Sequence, residues 1–220
     1  MIIAITGFIG SGKDTVADYL VNFHGFRRES FASSLKDAVS SVFGWDRTLL
    51  EGRTQESREW REQKDEWWSE RLGGTVTPRY ILQVWGTEVL RDRFHQDIWI
   101  ASVENKIRQT KDNVVITDCR FPNEIQALKN AGGKVIRVRR GPEPDWYHYA
   151  VLANRGDYEC QFKMNEYFIH PSETSWVGST FDAVIENSTS IDELYQNIRR
   201  QVLDLPDATQ LLPCEEFADN

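Results

Sequence analysis

Glycines, a lysine and hydroxyl side chains near the N-terminus are spaced as phosphate binding requires. Gly7, Gly12 and Lys13 match Gly-x-x-x-x-Gly-Lys, the P-loop pattern, which surrounds nucleotide phosphates with backbone N–H groups and one ammonium. An apolar run that predicts a strand precedes the loop, and the polar start of a helix, which favours anions, follows it. The alternative, a glycine-rich turn without a ligand, leaves this register unexplained. The predicted phosphate-binding residues are Gly10, Ser11, Gly12, Lys13, Asp14 and Thr15.

One residue of the loop departs from the pattern. Asp14 stands directly after the lysine, where serine or threonine is usual, and Thr15 follows it. A carboxylate beside phosphates is repulsive unless it joins the ligands of a metal ion or turns outward. The sequence leaves both possibilities open.

Charged side chains also follow two later predicted strands. Asp118 ends a buried run that begins at Val114. A carboxylate at the end of a central strand is the usual second metal-organising group of P-loop proteins. Arg120 comes two residues later, and Arg140 follows the strand predicted at 134–138, where it is well placed for a phosphate.

A helix predicted to begin at Thr77-Pro78 carries a stripe of polar donors. Thr is a preferred N-cap and Pro a preferred first residue. The stripe consists of Arg79, Gln83, Thr87 and Arg91. A spacing of four places these side chains on one face of an α-helix, where they either bind a small polar ligand or are solvated. Gly86 costs about 1 kcal/mol relative to Ala in a helix, and close approach of a ligand or of another helix would explain it.

The segment 51–71 alternates acidic and basic residues around Trp60, Trp67 and Trp68. Alternating charges predict a solvated helix with ion pairs four residues apart. A second interpretation is a mobile flap that offers an arginine, such as Arg58, to a phosphate.

Five segments are predicted as strands, and helical patterns alternate with them. The segments lie near residues 2–6, 26–30, 114–117, 134–138 and 183–186. Strand–helix alternation predicts an α/β fold in which a parallel sheet is covered on both faces. Ligands of such sheets bind at the carboxyl ends of the strands, where the P-loop, Asp118 and Arg140 are expected to gather.

The length of 220 residues suits one domain with a large core. We expect residues 1–220 to form a single domain with a helical insertion at about 46–110. Residues 141–180 are the least regular part of the sequence and are predicted to form a lid-like excursion. Residues 205–220 are predicted to be a loose tail.

The bulk composition argues against several classes of protein. A net charge of −8 and an isoelectric point of about 5.1 argue against nucleic-acid binding. Three scattered cysteines indicate no disulfide framework and therefore a reducing compartment, the cytoplasm. The N-terminal apolar run is too short for a signal peptide, and no run approaches the roughly 20 apolar residues of a membrane span, so we expect no membrane partner.

These motifs together resemble a known family. Ser11-Gly12-Lys13-Asp14-Thr15 is similar to the P-loop of the nucleoside monophosphate kinases, and most closely to that of the deoxynucleoside monophosphate kinases of T-even bacteriophages. The likeness extends over most of the chain in short, separate segments, which we call islands. The islands are 35–38, Arg79 with 82–87, 97–99, 118–120 with Glu124, 131–136, the His170-Pro-Ser-Glu173 motif near the lid, and 185–187 with 191–194.

The resemblance implies a three-layer α/β/α P-loop fold with a five-stranded parallel sheet. It also implies transfer of the γ-phosphoryl group of ATP to a deoxynucleoside monophosphate, with ADP and the diphosphate as products. Lys13 and the N–H groups of the loop would hold the donor phosphates. Thr15, Asp14 or Asp118 would organise Mg²⁺, directly or through water.

For the acceptor, the resemblance implies one set of residues for the phosphate and another for the base or sugar. The first set is Lys36, Arg79 and Arg120, and the second is Gln83 and Thr87. Gly86 lies in the same matched segment and is assigned to the substrate site. Arg140 and Arg58 would close on the transferred phosphate. A homodimer is also implied, in agreement with the many aromatic residues of the chain.

Three other functions share the P-loop. A dephospho-coenzyme A kinase would need a site for a long pantetheine arm, and a regulatory nucleotide-binding module would bind ATP without an acceptor. A polynucleotide-end kinase would need a basic surface, against which the acidic net charge argues. The compound that accepts phosphate from ATP distinguishes the first two from the kinase that the resemblance implies.

Overall fold

The computed structural model describes residues 1–204, so the tail predicted at 205–220 lies outside the described residues. The chain divides into two compact units, of which the second is Glu29–Lys111 and the first comprises the residues on either side of it. The second unit begins earlier than the insertion predicted at 46–110, because the helix Ser33–Phe43 packs within it. A single kinase domain with an insertion stays a prediction.

Five strands form one sheet. They are β1 (Ile2–Thr6), β2 (Arg27–Glu29), β3 (Val114–Ile116), β4 (Lys134–Arg139) and β5 (Ala183–Glu186). Their order across the sheet is β2-β3-β1-β4-β5. Ala4 of the central strand lies opposite Ile116 on one side and Val135 on the other, and parallel pairing continues from β4 to β5. The predicted five-stranded parallel sheet is confirmed, and its strands match the predicted segments to within one residue at each end.

Helices occupy most of the remaining described chain. They are α1 (Lys13–His24), α2 (Ser33–Phe43), α3 (Gln55–Glu62), α4 (Glu66–Leu72), α5 (Pro78–Gln83), a π-helix (Val84–Phe94), α6 (Ile98–Arg108), α7 (Pro122–Asn130), α8 (Tyr147–Asn154), α9 (Tyr158–Asn165), α10 (Pro171–Thr174) and α11 (Ile191–Gln201). A 3-10 turn covers Leu49–Glu51. Within residues 1–204, none of these helices has the length and hydropathy that a bilayer span requires.

The core of the first unit lies on the face of the sheet that α1 and α11 cover. Ile3 and Ile5 of the central strand are fully buried there with Leu20 of α1 and with Leu194 and Ile198 of α11. Burial of each such side chain contributes about 1.5–3 kcal/mol. Since side chains alternate along a strand, the intervening residues of β1 face the other side, where α7 packs against β1 and β4. The expected three-layer arrangement is confirmed.

The second unit has an aromatic cluster around Phe43. The ring of Phe43 lies 4.5 Å from that of Trp45, 4.7 Å from Trp68 and 5.4 Å from Trp85, measured between centroids. The indole N–H of Trp68 also donates to the carbonyl oxygen of Phe43 (3.0 Å). The tryptophans that the sequence analysis placed on a solvated helix therefore include packing residues.

The prediction of one continuous helix over 51–71 is wrong, because α3 ends at Glu62 and α4 begins at Glu66. The break has a local cause. Asp65 is the N-cap of α4, and its carboxylate accepts from the backbone N–H of Trp68 (3.0 Å) and from the indole N–H of Trp45 (2.8 Å). A capping aspartate has extended backbone dihedrals and so interrupts the helix that precedes it.

Residues 141–180 are more regular than predicted, since they contain α8, α9 and α10. These helices are short, and α9 buries none of its residues, so no apolar periodicity marks them in the sequence. The segment also has buried anchors: Trp176 is 1% exposed, and its ring lies 4.7 Å from that of Phe8 in the P-loop. A lid role for the segment stays a prediction.

Candidate active site

The P-loop connects β1 to α1 and folds around its own lysine. Gly12 precedes the helix in a left-handed conformation (φ 99°), and α1 begins at Lys13. The ammonium of Lys13 donates hydrogen bonds to the carbonyl oxygens of Gly7 (2.7 Å) and Phe8 (2.8 Å). The hydroxyl of Ser11 is buried and has no hydrogen-bond partner within the described chain. The loop therefore holds a cation and an unpaired donor at the carboxyl end of the central strand, as a phosphate site requires.

Arg120 and Glu173 set the electrostatic surroundings of Lys13. Burial lowers the pKa of Lys13, and the positive charge of Arg120 lowers it further, whereas the carboxylates of Glu173 and Asp14 raise it. One terminal nitrogen of Arg120, Nη1, lies 3.2 Å from Oε1 of Glu173 and 3.3 Å from Oγ of Ser172. The structure thus brings together Lys13 and Arg120, which the sequence analysis assigned to the site, and adds an acidic neighbour that it had not assigned.

Asn187 supports the P-loop from the end of β5. Its side-chain amide donates to the carbonyl oxygen of Ser11 (2.8 Å), and its backbone N–H donates to the backbone carbonyl oxygen of Arg139 (2.8 Å). A Cβ atom at Gly12 would overlap the same amide nitrogen. In the sequence, Asn187 stands out only as part of the segment 185–187 that resembles the family. Its position in the sequence could have identified it as a site residue, because an amide directly after a buried strand lies at the edge of the sheet where ligands bind.

The unusual carboxylate of the loop turns outward in this structure. Asp14 is exposed and forms an ion pair with Arg28 of β2, whose guanidinium also binds Asp18 (3.0 Å). Thr15, another predicted Mg²⁺ ligand, is half-buried. Sequence reasoning missed Arg28, because nothing in its spacing relates an edge strand to the first turn of α1.

The predicted Mg²⁺ ligands suit that ion in their chemistry. Asp14, Thr15 and Asp118 offer carboxylate and hydroxyl oxygens, which Mg²⁺ prefers. Within residues 1–204, no group of three or more His, Cys, Asp or Glu side chains is arranged to hold a metal ion alone. Mg²⁺ in nucleotide sites needs only one or two protein carboxylates, because phosphates and water supply its other ligands. The residues therefore fit a metal ion that binds together with a nucleotide.

The segment after β3 is held by a buried carboxylate. Glu124 is 2% exposed and accepts hydrogen bonds from the backbone N–H groups of Arg120 (2.8 Å) and Phe121 (3.1 Å). Asp118 is half-buried two residues after the strand, as predicted. Burial raises the pKa of the Cys119 thiol well above its usual range, and the nearby carboxylates of Glu124 and Asp118 add to the shift. Cys119 is therefore a protonated core residue, and Glu124 sets the backbone that carries Arg120.

The three arginines of 137–140 have different surroundings. Arg140, predicted to be well placed for a phosphate, is exposed, and that role stays a prediction. Arg139 forms an ion pair with Glu143 (3.5 Å). Arg137 is buried: its guanidinium binds the carboxylate of Glu143 (2.6 Å) and lies 5.7 Å from the ring centre of Phe8. Of the three, Arg137 therefore contacts the P-loop, as a packing residue with a paired charge.

In the second unit, Lys36 is already paired. Its ammonium lies 2.7 Å from the carboxylate of Glu51, which also binds Arg47. Burial alone would raise the pKa of Glu51, but the hydrogen bond and charge of Lys36, together with Arg47, outweigh it and lower the pKa to about 2. Binding of an acceptor phosphate by Lys36 stays a prediction, and the ion pair gives Lys36 a structural role.

Three arginines gather near Gly52, and two of them are the predicted Arg58 and Arg79. Arg58 donates through Nε to the carbonyl oxygen of Gly52 (3.1 Å), and Arg79 pairs with Glu62 (2.8 Å). The third is Arg61, whose guanidinium lies where a Cβ atom at Gly52 would stand. Burial lowers the pKa of Arg61, and the charges of Arg79 and Arg58 lower it too, against the opposing effect of Glu62. The second unit therefore brings three arginines close enough to repel one another, with Glu62 and Glu51 as acidic neighbours.

The donor stripe that begins at Arg79 does not continue on one α-helical face. The π-helix starts directly after Gln83, and its hydrogen bonds span five residues instead of four, so Thr87 and Arg91 lose the predicted register. Val89, an apolar residue within the π-helix, is exposed.

Gly86 shows the close approach that its position in a helix suggested. A Cβ atom there would stand 2.8 Å from Cδ2 of Leu35 in α2, and the carbonyl oxygen of Gly86 accepts from the indole of Trp99 (2.9 Å). Two explanations were considered for this glycine, close approach of a ligand and close approach of another helix. The structure shows the approach of a helix. Gln83 and Thr87 are exposed, and contact with the base or sugar stays a prediction.

Two solved structures share a weak overall likeness with the chain. The shikimate kinase of Aquifex aeolicus is 14% identical with a TM-score of 0.42, and the alignment covers 90% of this chain and 93% of that one. The dephospho-CoA kinase of Campylobacter jejuni is 16% identical with a TM-score of 0.40, over 92% and 96%. Scores this low support no inference about activity.

The sequence relatives are more informative. A family model described as deoxynucleotide monophosphate kinase matches residues 56–146. The deoxynucleoside-5'-monophosphate kinase of Escherichia phage T5 is 26% identical over 79% of this chain and 84% of its own length. A protein of Acanthamoeba polyphaga mimivirus, provisionally named deoxynucleotide monophosphate kinase, is 30% identical over 90% of this chain and 94% of its own length. Because this likeness extends along nearly the whole chain, and the P-loop and Arg120 occupy one site, the protein belongs to the deoxynucleotide monophosphate kinase family.

Proposed function

We propose that the protein transfers the γ-phosphoryl group of ATP to deoxynucleoside monophosphates, giving ADP and the corresponding diphosphates. The observation that carries the proposal is the P-loop, in which Lys13 stands at the first turn of α1 with Asp14 and Thr15 beside it. Family membership supports the choice of a deoxynucleotide as the acceptor. Transfer of this kind needs little covalent help, so positioning and charge neutralisation are what the side chains must supply.

On the donor side, Lys13 would exchange its bonds to two loop carbonyls for bonds to the β- and γ-phosphates. These carbonyls already hold the ammonium at the strand end, so little reorganisation is needed. Arg120 lies close enough to shift the pKa of Lys13 and would share the negative charge of the transferred group. Mg²⁺, when bound with ATP, supplies further positive charge, and Thr15, Asp14 or Asp118 would hold it.

On the acceptor side, we assign the monophosphate to the arginine cluster of the second unit. This cluster consists of Arg58, Arg61 and Arg79. Nε of Arg61 is buried and has no hydrogen-bond partner within the described chain. Mutual repulsion among guanidinium groups costs free energy that a dianionic phosphate would relieve, and arginine binds phosphate through two parallel hydrogen bonds. Lys36, which Glu51 neutralises, is the weaker candidate.

Replacing Arg61 with Ala is expected to raise KM for the acceptor by about tenfold or more and to change KM for ATP little. Loss of a hydrogen bond to a charged group costs about 1.5–3 kcal/mol, and 1.4 kcal/mol corresponds to tenfold in affinity. Steady-state kinetics with each substrate varied in turn measures both constants. Arg71→Ala, which removes an exposed arginine of α4 in the same unit, is the matched control. An unchanged acceptor KM, or an equal rise in both constants, would contradict the assignment.

The proposed function is tested by ADP release with a panel of acceptors. Purified protein with ATP and Mg²⁺ is given each deoxy- and ribonucleoside monophosphate, and separately dephospho-coenzyme A. We expect faster ADP release with at least one deoxynucleoside monophosphate. Turnover of dephospho-coenzyme A alone would overturn the proposal, and ATP binding that no acceptor converts into faster ADP release would favour a regulatory module.

A homodimer and a cytoplasmic location stay predictions. The first unit exposes large aromatic side chains in and after α9, with Tyr158 84% and Phe168 94% exposed. Exposed apolar surface of this kind is available for contact with another molecule. The second copy of the chain is the partner that the family resemblance suggests.

A further inference from the structure

Two side chains of the short helix α10 contact one terminal nitrogen of the Arg120 guanidinium. Nη1 of Arg120 lies 3.3 Å from the hydroxyl of Ser172 and 3.2 Å from the carboxylate of Glu173. Both side-chain hydrogen bonds found for Arg120 within residues 1–204 use this one nitrogen. An arginine has five N–H donors in a fixed plane. The contacts with α10 therefore set the direction of that plane and leave its other donors for a ligand.

Helix α10 is itself anchored, so these contacts are more than a chance surface pair. His170 precedes the helix, and its Nδ1 accepts from the backbone N–H of Ser172 (3.2 Å). Beyond the helix, Trp176 is buried and packs against Phe8 of the P-loop. The side chain of Glu173 is only 20% exposed. The carboxylate is therefore held at a defined place relative to the P-loop.

Glu173 also acts on the second cation of the site. Its negative charge raises the pKa of Lys13, whereas the charge of Arg120 lowers it. Two cations this close repel each other, and the repulsion is largest where water is excluded. A carboxylate that acts on both cations lowers the cost of keeping them in place before a phosphate arrives.

We propose that Glu173 is a positioning residue, which orients Arg120 beside Lys13 for phosphoryl transfer. This inference rests on the proposed function. Ser172 is the second contact that defines the orientation. Because the carboxylate of Glu173 binds Arg120, we expect its removal to act through Arg120 and to leave the binding of either nucleotide nearly intact. The loss would appear in the transfer step, which depends on correctly oriented charge.

Glu173→Gln is the test variant, because it keeps the shape of the side chain and removes its charge. We expect kcat to fall about tenfold, with KM for ATP and for the acceptor each changing less than threefold. Glu166→Gln is the matched control, since Glu166 lies in the same excursion and its carboxylate pairs with Lys163 near the end of α9. An unchanged kcat in Glu173→Gln, or an equal fall in the control, would overturn the proposal.

A double-mutant cycle with Arg120→Ala separates positioning from a general structural effect. If Glu173 acts through Arg120, Glu173→Gln should lower kcat no further when Arg120 is already Ala. Equal losses in both backgrounds, or a fall in kcat that follows a fall in Tm, would overturn the proposal. All variants are assayed with whichever acceptor the wild-type protein uses. If the wild-type protein turns over no deoxynucleotide, the proposed function is overturned instead. The comparison of kcat between wild type and variants, made with the acceptor that the protein does use, would still test Glu173.

Discussion

Replacing Lys13 with Ala is expected to lower kcat for phosphoryl transfer by about 10²–10³-fold, as removal of one preorganised electrostatic group does in other enzymes. Lys13 is the one lysine of the loop, and its ammonium stands at the strand end, 2.7 Å from the carbonyl oxygen of Gly7. No other side chain of the loop is positively charged, so the negative charge of the transferred group would lose its nearest partner. Coupled ADP release at saturating ATP and acceptor measures the effect.

The fold should survive this substitution. Burial lowers the pKa of Lys13, which shows that the charged form is held at a cost, and its hydrogen bonds are confined to the loop. A Tm within a few degrees of wild type would support that expectation. Lys111→Ala, at an exposed lysine of the other unit, is the control for the loss of a lysine as such. Phosphoryl transfer by Lys13→Ala at a near wild-type rate would show that the P-loop does not carry the reaction.

Gly7→Ala is expected to abolish nucleotide binding and to lower stability, whereas Gly10→Ala should cost much less. Both glycines have positive φ, 143° and 80°, which costs a residue with a Cβ atom about 1–3 kcal/mol. At Gly7 a steric overlap is added, because a Cβ atom there would overlap the backbone carbonyl oxygen of Val138 in β4. A Cβ atom at Gly10 meets no atom within 4 Å. A backbone oxygen cannot move aside as a flexible side chain does, so the loop must shift.

Thermal unfolding and titration with ATP measure the two variants side by side. We expect Gly7→Ala to have the lower Tm and no measurable ATP binding, and Gly10→Ala to keep most of both. Equal effects in the two variants would mean that positive φ alone, and not the approach of β4, determines the shape of the loop. If Gly7→Ala lowers Tm but leaves the affinity for ATP unchanged, the close approach of Gly7 to β4 has no role in nucleotide binding.

The P-loop and the sheet could be predicted from the sequence because their determinants are local. The loop is specified by glycine and lysine spacing within seven residues, and the three middle strands β1, β3 and β4 by short apolar runs that are buried. Parallel strands place their carboxyl ends at one edge, so Asp118 and Arg120 could be assigned to the same site as Lys13.

Other elements escaped prediction because their local signals are weak or compete. The helices of 141–180 bury too few residues to show a period, and Asp65 ends one helix by capping the next. The π-helix beyond Gln83 shifts the register that a spacing of four assumes.

By itself, then, the sequence determined the fold class, the position of the phosphate site and its central lysine, through patterns that act over a few residues. Only the tertiary structure decided which side chains, distant along the chain, lie beside the residues predicted to bind phosphate within each unit. The pairing of Asp14 with Arg28, the approach of Glu173 to Arg120 and the place of Arg61 against Gly52 each depend on how separate elements pack. Contacts of this kind carry no spacing rule, since packing and not chain distance brings their partners together.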